Sequence, residues 1–326
     1  MHILALSGGG FRGLFTVKVL QLLRDRLGHP LHTHFDVITG TSIGGIVALG
    51  VASGKEPEDI YRFFMDRRTD IFKRNKGILA KIPGVFRTQY ASDGLKQALV
   101  EFFGANLKMR NLKCPVVIPA ANLTTGSPKM FKKPADPDIY LDGELSLVDV
   151  ALATSAAPVY FPMHKIGAAA SGNSLGTFSD GALVGNAPGL FGLLEASTYL
   201  GAKVEDCTVL AVGTLGGAPN VGERRNPALG VNFWMNPLVH RNRFPLVQTL
   251  IAQQEALSHF VLGKILQERY YRIDKVLSNE AADHVALDDV SDAAARTLES
   301  YGQQLFALAE SDKFIQRLYG AKGATP

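Results

Sequence analysis

The 326-residue chain contains only two cysteines, Cys114 and Cys207, far apart and with no CxxC partner. Their scarcity argues against a disulfide framework or a cysteine zinc site and fits a reducing cytosol. No run approaches the roughly 20 apolar residues of a membrane span. The first residues, Met1-His2-Ile3-Leu4-Ala5-Leu6, reach Gly8 too soon to hold a signal peptide's apolar core. A soluble, cytoplasmic protein is therefore expected. No G-x-x-x-x-G-K-S/T occurs, which disfavours phosphate-loop ATPase chemistry. An acidic calcium loop is also missing, so no metal or other cofactor is expected. Charge imbalance is small too: 34 basic against 30 acidic residues leave a net charge of +4. That balance suits an anionic lipid or nucleotide and is diagnostic of neither.

What is present is 46% hydrophobic residues with 33 glycines and 16 prolines, enough for one large α/β domain with a sizeable core. His2 to Leu6 reads as a buried strand, and Leu14 to Leu27 has helical spacing. A strand over Phe35 to Thr39 is followed by a helix to about Ser53, and Glu56 to Arg68 continues helical. Further strands are expected at Cys114 to Asn122, paired with Lys129 to Lys133, and at Leu175 to Ser179 and Thr208 to Val212. Ser146 looks like the cap of a helix that Pro158 stops. Pro188 to Leu200 reads as a helix, as do Pro245 to Glu268 and Ser291 to Tyr319, with an edge strand at Arg269 to Ile273 between those two. This alternation predicts a mostly parallel sheet covered on both faces. The basic, partly apolar stretch from Thr69 to Gln89 reads as a solvated connection or as a lid over a lipid site.

Gly40-Thr41-Ser42-Ile43-Gly44 lies where a strand turns sharply into a helix. Such a turn pushes a serine out of the sheet, and flanking glycines let the backbone cross closely. The helix start turns its positive end toward the turn. The alternative is a Gly/Ser-rich turn that merely caps a buried helix.

Upstream, Gly8-Gly9-Gly10-Phe11-Arg12-Gly13 formally matches the dinucleotide-binding G-x-G-x-x-G. The acidic residue that fingerprint needs is misplaced, because Asp36 stands at the start of its strand and Gly40 and Ser42 occupy the end. The other use of a glycine loop at a helix start is an oxyanion hole, since unpaired N–H groups converge there.

A serine needs a base. None of the eight histidines sits in a motif that marks a catalytic one. His32 and His34 are expected at the surface, and His164 after Tyr160-Phe161-Pro162 near the cleft. Asp180 ends a short strand before Gly181 and Ala182, although Asp-Gly alone is a common turn.

Together these blocks resemble the patatin-like phospholipase family. Gly8 to Gly13 matches its oxyanion loop and Gly40 to Gly44 its nucleophile elbow. Ala153-Thr154-Ser155-Ala156-Ala157-Pro158-Val159-Tyr160-Phe161-Pro162 matches an internal block, and Asp180-Gly181-Ala182 its terminal Asp-Gly motif. Ser7 departs from the aspartate that many members carry. The resemblance covers about residues 3–195 and implies a three-layer α/β/α hydrolase, with residues 196–326 completing the fold as a regulatory or oligomerisation region. It further implies a lipid acyl hydrolase in which Ser42 attacks an ester and Asp180 takes its proton. Arg12 would steady the loop or a lipid phosphate. Phe11, Phe15, Phe72 and Phe86 would line an acyl site or simply pack the core.

The expected substrate is membrane phospholipid, met at the membrane surface without spanning it. The C-terminal region resembles bacterial patatin-like effectors of anti-phage signalling, which implies a cyclic di- or trinucleotide activator. Arg224, Arg225, Arg241 and Arg243 would suit its phosphates, or form a solvated basic face. No DNA or RNA partner is expected, and a homo-oligomer is compatible. The alternatives are a constitutive lipid acyl hydrolase and, more remotely, a nicotinamide-dependent oxidoreductase.

Overall fold

The structure, a computed structural model, describes residues 1–74, 88–133, 140–167, 174–216, 230, 234–235, 245–278, 281–282 and 284–320. Its frame is one mixed sheet of eight strands in the order β5-β6-β3-β2-β1-β7-β8, with β4 attached to β3. The strands are β1 (His2–Leu6), β2 (Val37–Gly40), β3 (Val116–Asn122), β4 (Ser127–Lys132), β5 (His164–Ile166), β6 (Gly176–Ser179), β7 (Thr208–Val212) and β8 (Tyr270–Ile273). The five strands from β3 through β2, β1 and β7 to β8 run parallel, while β4, β5 and β6 pair antiparallel at the other side.

Period-two alternation along the central strands makes the three layers. On β1, Leu4 and Leu6 face one core, while Ile3 and Ala5 face the other. Leu210 and Val212 on β7 likewise join the first core, and Val209 and Ala211 the second. Helices Gly13–Leu27, Ile43–Ser53, Ser92–Phe103 and Leu147–Thr154 cover the first face. Gly189–Thr198 and the end of Pro245–Leu266 cover the second, through Leu193, Ala196, Leu262 and Leu266. Both faces of the parallel strands are dry, which is why those strands read as unbroken apolar runs.

Most predicted elements are found with their ends shifted, and four differences have local causes. Glu56 caps a separate helix, Pro57–Ile71, in a capping box with Asp59, so the chain breaks after Ser53. Ser146 accepts the Asp149 N–H as foreseen, but that helix ends at Thr154, four residues before Pro158. The last helix is two pieces, Asp292–Ala309 and Lys313–Gly320. His34 is buried rather than superficial, its ring stacked on His2 and tilted against His29. Residues beyond 195 supply β7 and β8, so β1 is sandwiched between the chain's second and seventh strands. No helix among the described residues is long and apolar enough to cross a membrane.

Candidate active site

The parallel strands β1 and β2 end side by side, with Leu6 opposite Gly40. Each then turns directly into a helix, so both turns and both positive helix ends meet at one sheet edge. At the end of β2 the backbone of Ser42 is held at φ 54 and ψ −126, a conformation that side-chain-bearing residues rarely adopt. Such strain costs on the order of 1–3 kcal/mol and persists only where surroundings over-determine it. Here the surroundings are glycines. A Cβ on Gly40 would overlap the Gly44 carbonyl, and one on Gly44 would overlap the carbonyls of Leu6 and Ser7. Ser42 caps the helix Ile43–Ser53 by position only, because its hydroxyl makes no capping bond.

That hydroxyl donates instead to Oδ2 of Asp180 at 2.7 Å. Asp180 sits just past β6, at 2% exposure, and its Oδ1 accepts the Ala182 N–H at 2.7 Å. Burial pushes its carboxyl up from an ordinary 3.8 to about 7, and the two hydrogen bonds only partly oppose this. Gly181 has no room for a Cβ beside the Pro119 carbonyl. Thr154 ties the two halves together. Its hydroxyl donates to Pro119 O at 2.7 Å and accepts the Ser42 N–H at 3.0 Å, while its carbonyl accepts the Gly181 N–H.

The glycine loop lies against this pair, since a Cβ on Gly8 would come within 3.1 Å of the Ser42 Cβ. Gly8 donates to Asn186 O and Phe11 to Leu287 O, whereas the N–H groups of Gly9 and Gly10 meet no acceptor among the described residues. Gly10 has φ +57 and abuts the Leu287 carbonyl, so a side chain is excluded twice over. Arg12 reaches back to Leu215 O at 3.4 Å, tying the loop to the segment after β7. Gly13 opens the helix Gly13–Leu27 against Ile43 and Phe64, which fixes the two helix starts together.

The arrangement brings together a hydroxyl, a buried carboxylate that accepts its hydrogen bond, and two backbone N–H groups that meet no acceptor among the described residues, the kinds of group that acyl transfer uses. The sequence pattern of the Patatin-like phospholipase family matches residues 4–189, spanning all of these groups. A cGAMP-activated phospholipase of Pseudomonas aeruginosa is 39% identical over 97% of this chain and 90% of its own length. The chain belongs to the patatin-like phospholipase family. Proteins of the same name from Escherichia coli and Vibrio cholerae are each 34% identical over 94% of this chain and cover 88% and 90% of their own lengths. This family member is accordingly a carboxylic ester hydrolase of the phospholipase type.

Other candidates fall elsewhere. His164 lies on β5 with its Nε2 2.9 Å from Asp149, away from the serine's hydrogen bonds. Phe11 and Phe15 are core residues. Phe72 is half-buried in an aromatic cluster with Phe11, Tyr90 and Phe161. Phe86, most of the suspected lid, and Arg224, Arg225, Arg241 and Arg243 lie outside the described residues. Among the described residues no cluster of His, Cys, Asp and Glu could hold a metal ion. Thr154, Asn186, Thr214 and Leu287 were not singled out from the sequence. Thr154 does sit in the internal block Ala153 to Pro162, but nothing local marks Thr214 or Leu287.

Proposed function

We propose that the protein hydrolyses acyl esters of membrane glycerophospholipids through Ser42 and Asp180, under control of a cyclic dinucleotide of the cGAMP kind. The observation that carries the reaction is the 2.7 Å hydrogen bond from the Ser42 hydroxyl to a buried aspartate whose carboxyl is raised to about 7. Near neutral pH such a group is ionised often enough to accept a proton and basic enough to hold it. Asp180 takes the hydroxyl proton as Ser42 Oγ bonds to the ester carbonyl carbon. The carbonyl oxygen becomes an oxyanion, stabilised by the unpaired N–H groups of the Gly8–Gly10 loop. Collapse breaks the ester C–O bond, and Asp180 returns its proton to the departing lysolipid oxygen. A water molecule, deprotonated by Asp180, then bonds to the acyl carbon; the bond to Ser42 Oγ breaks, Asp180 returns the proton to Oγ, and the fatty acid leaves. The strained elbow and fixed loop need little reorganisation during these steps, which is how preorganised donors lower a barrier.

Control by a cyclic dinucleotide is supported by relatives that bear that activator in their names and match over nearly the whole chain. The basic residues Arg224, Arg225, Arg241 and Arg243 are candidates for its phosphates. The test is fatty-acid release from glycerophospholipid vesicles with and without a cyclic-nucleotide panel that includes cGAMP. Release should require both Ser42 and Asp180 and rise strongly with one panel member. Near-normal activity in Asp180→Ala would refute the dyad, and activity unchanged across the panel would refute the control.

A further inference from the structure

The oxyanion loop is gripped from behind by polar groups drawn from distant parts of the chain. The Gly8 carbonyl accepts the Thr214 hydroxyl at 2.8 Å, and the Gly8 N–H donates to Asn186 O at 3.4 Å. Asn186 is held in turn, its Nδ2 donating to Glu255 at 2.9 Å and its N–H to Gln254 at 3.0 Å. On the other side of the loop, Leu215, next to Thr214, donates its N–H to Asp274 at 2.9 Å. One guanidinium nitrogen of Arg272, on β8, then bonds both Glu255 at 3.0 Å and Asp274. The result is a closed ring: Gly8, Asn186, Glu255, Arg272, Asp274, Leu215 with Thr214, and back to Gly8.

This ring is largely interior: Asn186 and Thr214 are buried and the Asp274 side chain is 1% exposed, while the Glu255 and Arg272 side chains are 14% and 29% exposed. At Asp274 burial outweighs Arg272 and raises the carboxyl. Burial acts the same way at Glu255, but hydrogen bonds from His259 and Asn186 and the charge of Arg272 outweigh it and lower that carboxyl. One buried and one mostly buried carboxylate sharing a guanidinium are a poor way to gain stability, because desolvation offsets much of the attraction. They do fix the register of whatever they bond to. Glu255, Arg272 and Asp274 all lie beyond residue 189, outside the stretch that matches the family pattern.

We propose that Arg272, with Glu255 and Asp274, is a positioning cluster that sets the Gly8–Gly10 backbone for oxyanion binding, acting through Asn186 and Thr214. The inference rests on the hydrolase reading of Ser42 and Asp180. Oxyanion donors act on the transition state rather than on the bound ester, so displacing the loop lowers kcat and leaves KM. A misplacement of about 1 Å can lower a rate on the order of a hundredfold.

The test uses the full chain, a soluble p-nitrophenyl ester, and labelling of Ser42 by a fluorophosphonate, whose phosphonyl oxygen draws on the same N–H donors. Arg272→Met and Glu255→Leu should lower kcat about ten- to a hundredfold with KM within about twofold, and slow labelling in step. Glu255→Gln keeps an acceptor for Asn186 and should recover most of the loss. Thr214→Val removes one hydroxyl and leaves the interior charges intact, so it should lower kcat in the same sense even if the charge variants fail to fold. Thr214→Val with unaltered kcat and labelling rate overturns the proposal, as does a rise in KM alone. Wild-type protein that, with each member of the cyclic-nucleotide panel present, neither turns over the ester nor labels at Ser42 overturns the hydrolase reading itself.

Discussion

Replacing Asp180 by asparagine separates the carboxylate's charge from its hydrogen bonds. An asparagine Oδ1 can still accept the Ala182 N–H, and its Nδ2 can donate to Ser42 Oγ, so the local geometry is retained. The ionisation is lost, and the hydrogen bond with Ser42 reverses its direction. Because the folded carboxyl sits at about 7 against an ordinary 3.8, the folded state holds the proton more tightly than the unfolded chain. The stability from that proton is therefore full below the unfolded value and drains away as pH rises toward the folded one. At about 1.36 kcal/mol per unit, ionising Asp180 costs about 2 kcal/mol of stability by about pH 5 and about 4 kcal/mol by about pH 8. Asparagine does not titrate. The stability of Asp180→Asn relative to wild type should thus grow by roughly 2–3 kcal/mol between about pH 5 and about pH 8. Urea unfolding of both proteins at several pH values reads this directly, and contributions from all other groups cancel in the difference. Ester hydrolysis by the variant should fall about 10²–10⁴-fold, the usual contribution of a positioned base. Stability curves that stay parallel across this range would refute the buried, raised carboxyl, and retained hydrolysis would refute its role as base.

The same carboxyl sets the acid limb of activity: kcat/KM on a soluble ester should rise with pH to half its plateau at about 7, whereas a limb at ordinary carboxylate values would contradict the burial argument. Gly44→Ala forces a Cβ into the Leu6 and Ser7 carbonyls, so thermal and urea unfolding should show a loss of about 1–3 kcal/mol, with activity falling as the elbow shifts. His164→Ala should change kcat by less than about threefold, because its imidazole pairs with Asp149 and not with the serine; a large loss would reinstate a histidine base.

The chemistry-bearing residues were legible wherever the chemistry is written in contiguous residues. Ser42 between Gly40 and Gly44, and Gly8 to Gly13 before a helix, announce themselves because tight turns demand glycine at fixed offsets. Asp180 is weaker in isolation, since Asp-Gly is an ordinary turn, and only the order of four blocks singles it out. Edge strand β5 was missed because three residues, His164–Ile166, are too few for alternation to show. His34 was misjudged because a polar side chain gives no local sign of the His2 and His29 rings that enclose it.

By itself the sequence determined the layered α/β architecture, the strained serine turn and the glycine loop, because period-two apolar strands, helical spacing and glycine placement are local properties. Only the tertiary structure decided which carboxylate the serine hydroxyl meets. Ser42 and Asp180 are 138 positions apart and come into hydrogen-bond range because β2 and β6 flank β3 in the sheet. Tertiary packing also decided Asp180's proton affinity, since desolvation is set by everything around the carboxyl and not by its neighbours in the chain. The ring behind Gly8 is of the same kind: residues 8, 186, 214, 255, 272 and 274 meet only where β8 adds to β7 and the helix Pro245–Leu266 crosses beside them.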